Sequence, residues 1–398
     1  MIIKSSRIYM EDGVKNGFLV IEGGKFSGCL PDNTPVARDE YLDVGDDRVI
    51  PGIFDTHNHG TCGYSLMDAE NGATGPETVA GYLKGLASQG VTNIFPTVMP
   101  SMIRTVAEAA KLKPTGATIL GIHSEGPWLN RAGEKGIRTP WPAVELETAR
   151  KMVSDGQGLL RLVALAPEIP DIPPIIDYLL GEGVTLALAH SDCNYEDATA
   201  AYQKGLSVAT HTGNVMVGLH HRDVGGLGAA LLNDNVECEV ICDGMHICLE
   251  MLQIYFRVKD YSHFMMISDC TPFSGAPAGR YKGWNPSMVI NATREGFVLS
   301  DTGRLCGSSQ PVLYGIGNLV EKLGIPLETV IRMASLNPCK KYGFEKEKGS
   351  IALGKDADFV VITGDYKARY TYANGKKIYD READGTIFNP DFYAAMKV

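Results

Sequence analysis

Several protein classes are excluded by what this chain lacks. It has no apolar run near the ~20 residues a membrane-spanning helix needs; its longest, such as Gly183 to Ala189, are strand-length. The first residues, MIIKSSRIYMEDGV, hold no apolar h-region, so no signal peptide is expected. Basic charge is in deficit: 37 Lys and Arg stand against 47 Asp and Glu, a formal net charge of −10. That balance disfavours a nucleic-acid or anionic-membrane partner, which needs a basic face. It leaves room for a small anionic substrate, because a few local Arg and His groups hold one phosphate. The nine cysteines form no CxxC pair. Odd in number and scattered, they read as buried or free thiols of a reducing, cytoplasmic compartment. Cys238 and Cys242 read as core packing, since a zinc ribbon needs two further ligands at matching spacing. Repeats and low-complexity linkers are absent.

What is present suits a large globular enzyme, with 44% hydrophobic and 21% charged residues over 398 positions. That length suggests one large domain plus a smaller one. Residues 1–50 alternate in short runs (IIKSSRIYM, GFLVIEGGKF) broken by glycine turns, the texture of half-buried strands. The region 345–398 has the same texture: DADFVVIT, then ARYTYANGKKIYD with a hairpin turn at Asn374-Gly375. The two ends are expected to meet as one small β-sandwich domain. Between them, over 51–344, apolar strands alternate with helical stretches such as GPETVAGYLKGLASQG and NYEDATAAYQKG. That alternation predicts parallel βαβ units and an α/β fold, a (β/α)8 TIM-like barrel. Active sites of such barrels gather at the C-terminal strand ends.

The chemistry-bearing residues fall at those ends. Pro51-Gly52-Ile53-Phe54-Asp55-Thr56-His57-Asn58-His59 places two imidazoles at i and i+2, on one side of a strand, where they can grip one ion. Glu125 follows in His123-Ser124-Glu125-Gly126-Pro127. His190 closes VTLALAH, His211 closes SVATH and Asp269 closes FMMISD. Singly, each has a bland reading, because strand-end His and Asp often satisfy backbone groups. Together, six candidate ligands from five strand ends of one barrel point to a divalent cation with an open position, suited to hydrolysis. His123 reads as a group orienting a ligand. His263, Trp128 and Trp284 read as structural.

The motifs PGxxDxHxH and HxEGP, with two strand-end His and a late strand-end Asp, resemble the amidohydrolase superfamily. The segments HSEGPWLN, LAHSDCNY, THTGNVM, ICDGMH, ISDCTPFSG, GRLCGSSQ and GKDADFVVI resemble, in order and over nearly the whole chain, the N-acetylglucosamine-6-phosphate deacetylase family. The resemblance implies removal of the acetyl group from an amino-sugar phosphate. It implies Glu125, His190 and His211 around a principal metal, with His57 and His59 holding a second that Glu125 bridges. It also implies Asp269 as general base and then general acid. Zn2+, Fe2+, Mn2+ and Co2+ all accept such ligands, Zn2+ most readily. For substrate, the matching positions are Ile137 and Arg138 where the family polarises the acetyl carbonyl, Asn214, Val215, Arg222 and His246 toward the phosphate, and Leu305, Cys306 and Gly307 along the sugar. The family's Arg at the Arg222 position reaches in from a neighbouring subunit, which implies a homodimer.

This chain departs from the family where a loop His is usual and Arg138 stands, at Thr212-Gly213, and at Cys270-Thr271-Pro272-Phe273. The galactosamine epimer of the substrate, another N-acyl compound and a non-catalytic sugar-phosphate-binding relative therefore stay open as alternatives. A cyclic amidase fits less well, because many use a modified lysine where Glu125 stands.

Overall fold

Strands buried on both faces read as continuous apolar runs, and those runs build the core here. The computed structural model describes residues 1–398 except 67–74, 114, 133–136, 139–142 and 284–287. Eight parallel strands follow one another around a barrel: Ile53–Asn58, Val91–Val98, Ile122–Glu125, Leu160–Leu165, Thr185–Leu188, Val208–Ala209, Glu237–Ile241 and Phe264–Ile267. They are called barrel strands one to eight below. Each pairs with the next in parallel register, for example Leu162↔Thr185 and Cys238↔Phe264. Strand eight meets strand one through the Asn58↔Cys270 bridge and the Asp269 N–H on the His57 carbonyl at 2.9 Å.

Side-chain alternation sorts each strand into two layers. Leu162, Ala164, Ala187, Ala189, Val208 and Met265 form one small cluster on the barrel axis. Val163, Leu165, Leu186, Leu188, Ala209, Cys238, Val240 and Met266 belong instead to the large core under the helices. The alanines on the axis fit a narrow space, whereas each buried Leu or Ile on the outer side contributes roughly 1.5–3 kcal/mol. The helices at Pro76–Ser88 and Tyr195–Lys204 lie in the two stretches whose periodicity predicted them. The second is capped by Asn194, whose side chain accepts from the Asp197 N–H at 2.8 Å.

The two ends of the chain share one eight-stranded sheet, in the order Lys376–Asp380, Ala368–Ala373, Phe359–Ile362, Arg48–Pro51, Ile2–Met10, Gly13–Glu22, Lys25–Pro31, with Leu42–Asp43 beside Ile2–Met10. The sandwich-like core comes from this single sheet curling until its ends touch. Phe26 packs against Phe359 at 6.0 Å, and Gly24 sits so close to Asn374 that a Cβ there would lie 2.8 Å from its carbonyl oxygen. Asn374 and Gly375 both have positive φ, 49° and 71°, as a tight hairpin turn requires. A further three-stranded sheet, Gly279–Lys282, Val289–Ala292 and Val298–Ser300, follows barrel strand eight, and the helix Pro390–Met396 packs on it through Phe392, Tyr393 and Met396. Among the described residues no helix is long and apolar enough to cross a membrane.

Candidate metal centre

Five barrel strands deliver six ligand-type side chains to one mouth. His57 is the last residue but one of strand one and His59 lies just beyond its end; their Nε2 atoms lie 3.2 Å apart, as expected for i and i+2. Glu125 ends strand three. His190, His211 and Asp269 each stand two residues beyond strands five, six and eight, and all three take left-handed backbone, with φ of 47°, 30° and 49°. For a residue with a Cβ this conformation costs about 1–3 kcal/mol and is held only by its surroundings. The recurrence of one strained turn at three convergent positions marks the mouth as the place where stability is spent on geometry.

The donor atoms fall into two groups of three: Glu125 with His190 and His211, and His57 with His59 and Asp269. In the first, Glu125 Oε1 lies 3.0 Å from both Nε2 atoms, which are 3.1 Å from each other. In the second, Asp269 Oδ1 lies 3.4 Å from His57 Nε2 and 3.3 Å from His59 Nε2. Metal–nitrogen bonds of about 2.0–2.1 Å in a tetrahedron imply ligand–ligand edges of about 3.3 Å. The observed spacings match that edge. Glu125 Oε2 faces His59 Nε2 at 3.3 Å, so the two oxygens of one carboxylate serve the two groups. The residues present therefore fit one or two divalent cations.

Tautomers support the fit. The Nδ1 of His190 meets the Arg131 carbonyl at 2.8 Å, which places its proton there and turns the Nε2 lone pair inward. The Nδ1 atoms of His57 and His211 are buried with no hydrogen bond among the described residues. Electrostatics divide the cluster. Burial, with the neighbouring imidazoles adding to it, presses His57 down to about 4 and His123 down to about 3. Burial also opposes charge on His59 and His211, yet contact with Asp269 and Glu125 lifts His59 to about 10, and contact with Glu125 lifts His211 to about 9. In turn burial pushes the two carboxyls up, but the imidazoles (His190 and His57 for Glu125, His57 and His59 for Asp269) hold both well below the carboxylate range. The mouth thus sets two carboxylates among four imidazoles, a set of oxygen and nitrogen donors that suits a divalent cation.

The positions expected to bind substrate sit around this mouth to different degrees. Asn214 donates to the His211 carbonyl at 3.2 Å, and Val215 is buried with φ 52° and accepts from the Ser191 N–H. His246 is held by Asp243, Nδ1 to Oδ2 at 2.8 Å; burial lowers its basicity but the carboxylate raises it further. Ser308 donates to the same Asp243 oxygen at 3.0 Å. Gly307 has φ 71°, and a Cβ there would lie 2.4 Å from Thr271 Cγ2 and 2.9 Å from the Asp269 carbonyl oxygen, so only glycine allows this approach. Leu305 and Cys306 run just before it, bonded to Leu299 and Val298. Arg222 is exposed at a turn; Asp223, its sequence neighbour, instead accepts from the Tyr195 and Gly225 N–H groups. Ile137 and Arg138 pair in a short ribbon with Arg131–Ala132, and their side chains lie outside the described residues, as does Trp284. Trp128 is fully buried and His263 lies 3.4 Å from Glu237.

Sequence reasoning passed over three groups. Asp243 fixes His246. Glu168, ending LRLVALAPE, accepts from Asn130, Ser191 and the Asp192 N–H and so ties the loops beside His190. Glu239 lies inside the barrel. An acidic residue in the middle of an apolar strand, VECEVI, was the available signal for the last.

Residues 262–387 match the model of the amidohydrolase family. The chain is 31% identical to an N-acetylglucosamine-6-phosphate deacetylase of Vibrio furnissii over 349 residues, 86% of this chain and 85% of that one. It is 28% identical to an N-acetylgalactosamine-6-phosphate deacetylase of Escherichia coli O157:H7, over 94% of this chain and 98% of that one. The crystal structure of the Pasteurella multocida N-acetylglucosamine-6-phosphate deacetylase superposes with a TM-score of 0.81 at 25% identity, covering 94% and 98% of the two chains. By its sequence, its barrel and its donor set, this chain belongs to the N-acetylglucosamine-6-phosphate deacetylase family of amidohydrolases.

Proposed function

We propose that the chain hydrolyses the acetamide of N-acetylglucosamine 6-phosphate to glucosamine 6-phosphate and acetate. The observation that carries this reading is the pair of three-residue groups joined by Glu125, with the Asp269 carboxylate at their edge. Glu125, His190 and His211 would hold one cation, and His57 and His59, beside Asp269 and Glu125, a second; zinc suits these nitrogen and oxygen donors. Such a cation, when bound, would lower the pKa of water to about 7 and polarise the acetyl carbonyl. Asp269 takes the proton of the attacking water at its carboxylate and returns it to the amine nitrogen, because an amide leaves poorly unless its nitrogen is protonated. His246, held by Asp243, and the backbone at Asn214 and Val215 offer donors to the phosphate. Arg222, exposed and turned outward, fits a role in a neighbouring subunit's site, and so a homodimer. Arg138 would serve the acetyl oxyanion or the sugar. We place the chain in the cytoplasm, and take residues 1–50 and 345–398 as a small domain beside the barrel of 51–344.

The galactosamine epimer is the second reading, left open by Arg138 and supported by the E. coli relative named for that sugar. Kinetics of acetate release on the two phosphorylated epimers and on unphosphorylated N-acetylglucosamine separate these cases. Faster turnover of the glucosamine phosphate is expected. A preference for the galactosamine phosphate hands the assignment to the second reading. Equal turnover without phosphate removes His246 and Arg222 from their roles, and no turnover on any of the three refutes deacetylation.

A further inference from the structure

Barrel strand seven reads Glu237-Cys238-Glu239-Val240-Ile241. Cys238 and Val240 belong to the core under the helices, so alternation turns Glu239 toward the barrel axis. Its side chain is fully buried. A carboxylate out of water is costly unless its oxygens are satisfied. One is: Oε1 accepts from Thr56 Oγ1 at 2.7 Å. The other, Oε2, has no hydrogen bond among the described residues, and it faces the Nδ1 of fully buried His57, which likewise has none there, 3.6 Å away.

These two atoms need each other. An imidazole that presents Nε2 to a cation carries its proton on Nδ1, and a buried N–H requires an acceptor. For His190 that acceptor is the Arg131 carbonyl. At His57 the carboxylate oxygen stands in the same relation, a few tenths of an ångström beyond hydrogen-bond length. A small rotation of the ring closes the gap. Thr56, the residue before His57, fixes the other oxygen and so aims the free one.

We propose that Glu239 is a positioning residue whose Oε2 accepts a hydrogen bond from the Nδ1–H of His57, orients Nε2, and thereby sets how tightly the His57–His59 side of the centre holds a cation. This rests on the reading of His57, His59 and Asp269 as a cation-binding group. Glu239 touches neither substrate nor ion; it acts through His57. The chain therefore tunes its two cation positions separately, through a backbone carbonyl at His190 and through a side-chain carboxyl at His57.

The test is a titration of the metal-stripped full-length protein with Co2+, followed by calorimetry and by the visible absorption of the bound ion. Wild type is expected to take two ions. Glu239→Gln keeps the shape and removes the charge; it should lose about 10–100-fold in affinity at one position and leave the other unchanged. Thr56→Val, which removes only the hydroxyl holding Oε1, should give a smaller loss at the same position and guards against a folding defect in the first variant. Two ions bound by a folded Glu239→Gln variant with wild-type affinities overturn the proposal. A wild type that takes a single ion, unchanged in His57→Asn, overturns the cation reading of His57 and the proposal with it, and that outcome shows before any Glu239 variant is made.

Discussion

Replacing Asp269 by Asn tests the proposed chemistry at its centre. Asn keeps the shape of the side chain and its carbonyl oxygen but accepts no proton at neutral pH. Asp269 Oδ1 lies 3.3–3.4 Å from two imidazoles and its side chain is 12% exposed, so no bulk water stands ready to replace it. General acid–base catalysis contributes about 10²–10⁴-fold, and each decade is 1.36 kcal/mol, so the barrier should rise by about 2.7–5.4 kcal/mol. The two proton transfers happen in sequence through one group. The loss is therefore set by the slower step and does not multiply. The assay is the initial rate of acetate release, normalised to the metal bound, with KM measured alongside. The expected result is a fall in kcat of about 10²–10⁴-fold with the Glu125–His190–His211 position still occupied. A variant with that position filled and kcat close to wild type would refute the assignment, whatever its KM.

Other outcomes follow from separate parts of the structure. Lys348 is 7% exposed and pairs with buried Asp358 at 2.7 Å, so Lys348→Met should destabilise by about 3–5 kcal/mol, read as a fall in the denaturation midpoint. Burial lowers the Lys348 pKa but Asp358 raises it further, to above its ordinary 10.5; its contribution is thus complete below that pH and is lost as pH climbs through the folded value, so the wild type–variant gap in thermal stability should narrow only in strong alkali. Gly213→Ala places a Cβ 2.0 Å from the hydroxyl of buried Tyr255 at φ 93°, and should cost about 1–3 kcal/mol in chemical denaturation and weaken metal binding through His211, two residues away. Arg222→Ala should raise KM for the phosphorylated sugar by about 10–100-fold with kcat little changed, since a hydrogen bond to a charged group is worth about 1.5–3 kcal/mol; an unchanged KM would place this arginine away from the phosphate.

Much of the site was legible because its signals are local. Period-two alternation puts His57 and His59 on one side of a strand whatever the rest of the chain does, and the structure brings their Nε2 atoms to 3.2 Å. Polar residues at the ends of apolar runs in an α/β pattern converge by the geometry of the barrel, and Glu125, His190, His211 and Asp269 meet as that geometry demands. The Asn374-Gly375 turn is likewise short-range sterics, since both residues tolerate positive φ.

The rest depended on contacts between distant segments. Thr56 and Glu239 are 183 positions apart, and nothing in either neighbourhood announces their hydrogen bond. Asp243 and Ser308 meet across 65 positions, and together they decide how His246 points. The curling of one terminal sheet onto itself, and the placing of helix Pro390–Met396 on the sheet that follows Asp269, are also choices of packing. By itself the sequence determined that six donor residues gather at the strand ends, because apolar runs and their polar ends are properties of neighbours. Only the tertiary structure decided how those residues are aimed, because left-handed turns, buried acceptors and close glycine contacts persist only where the surrounding core overrides local preference.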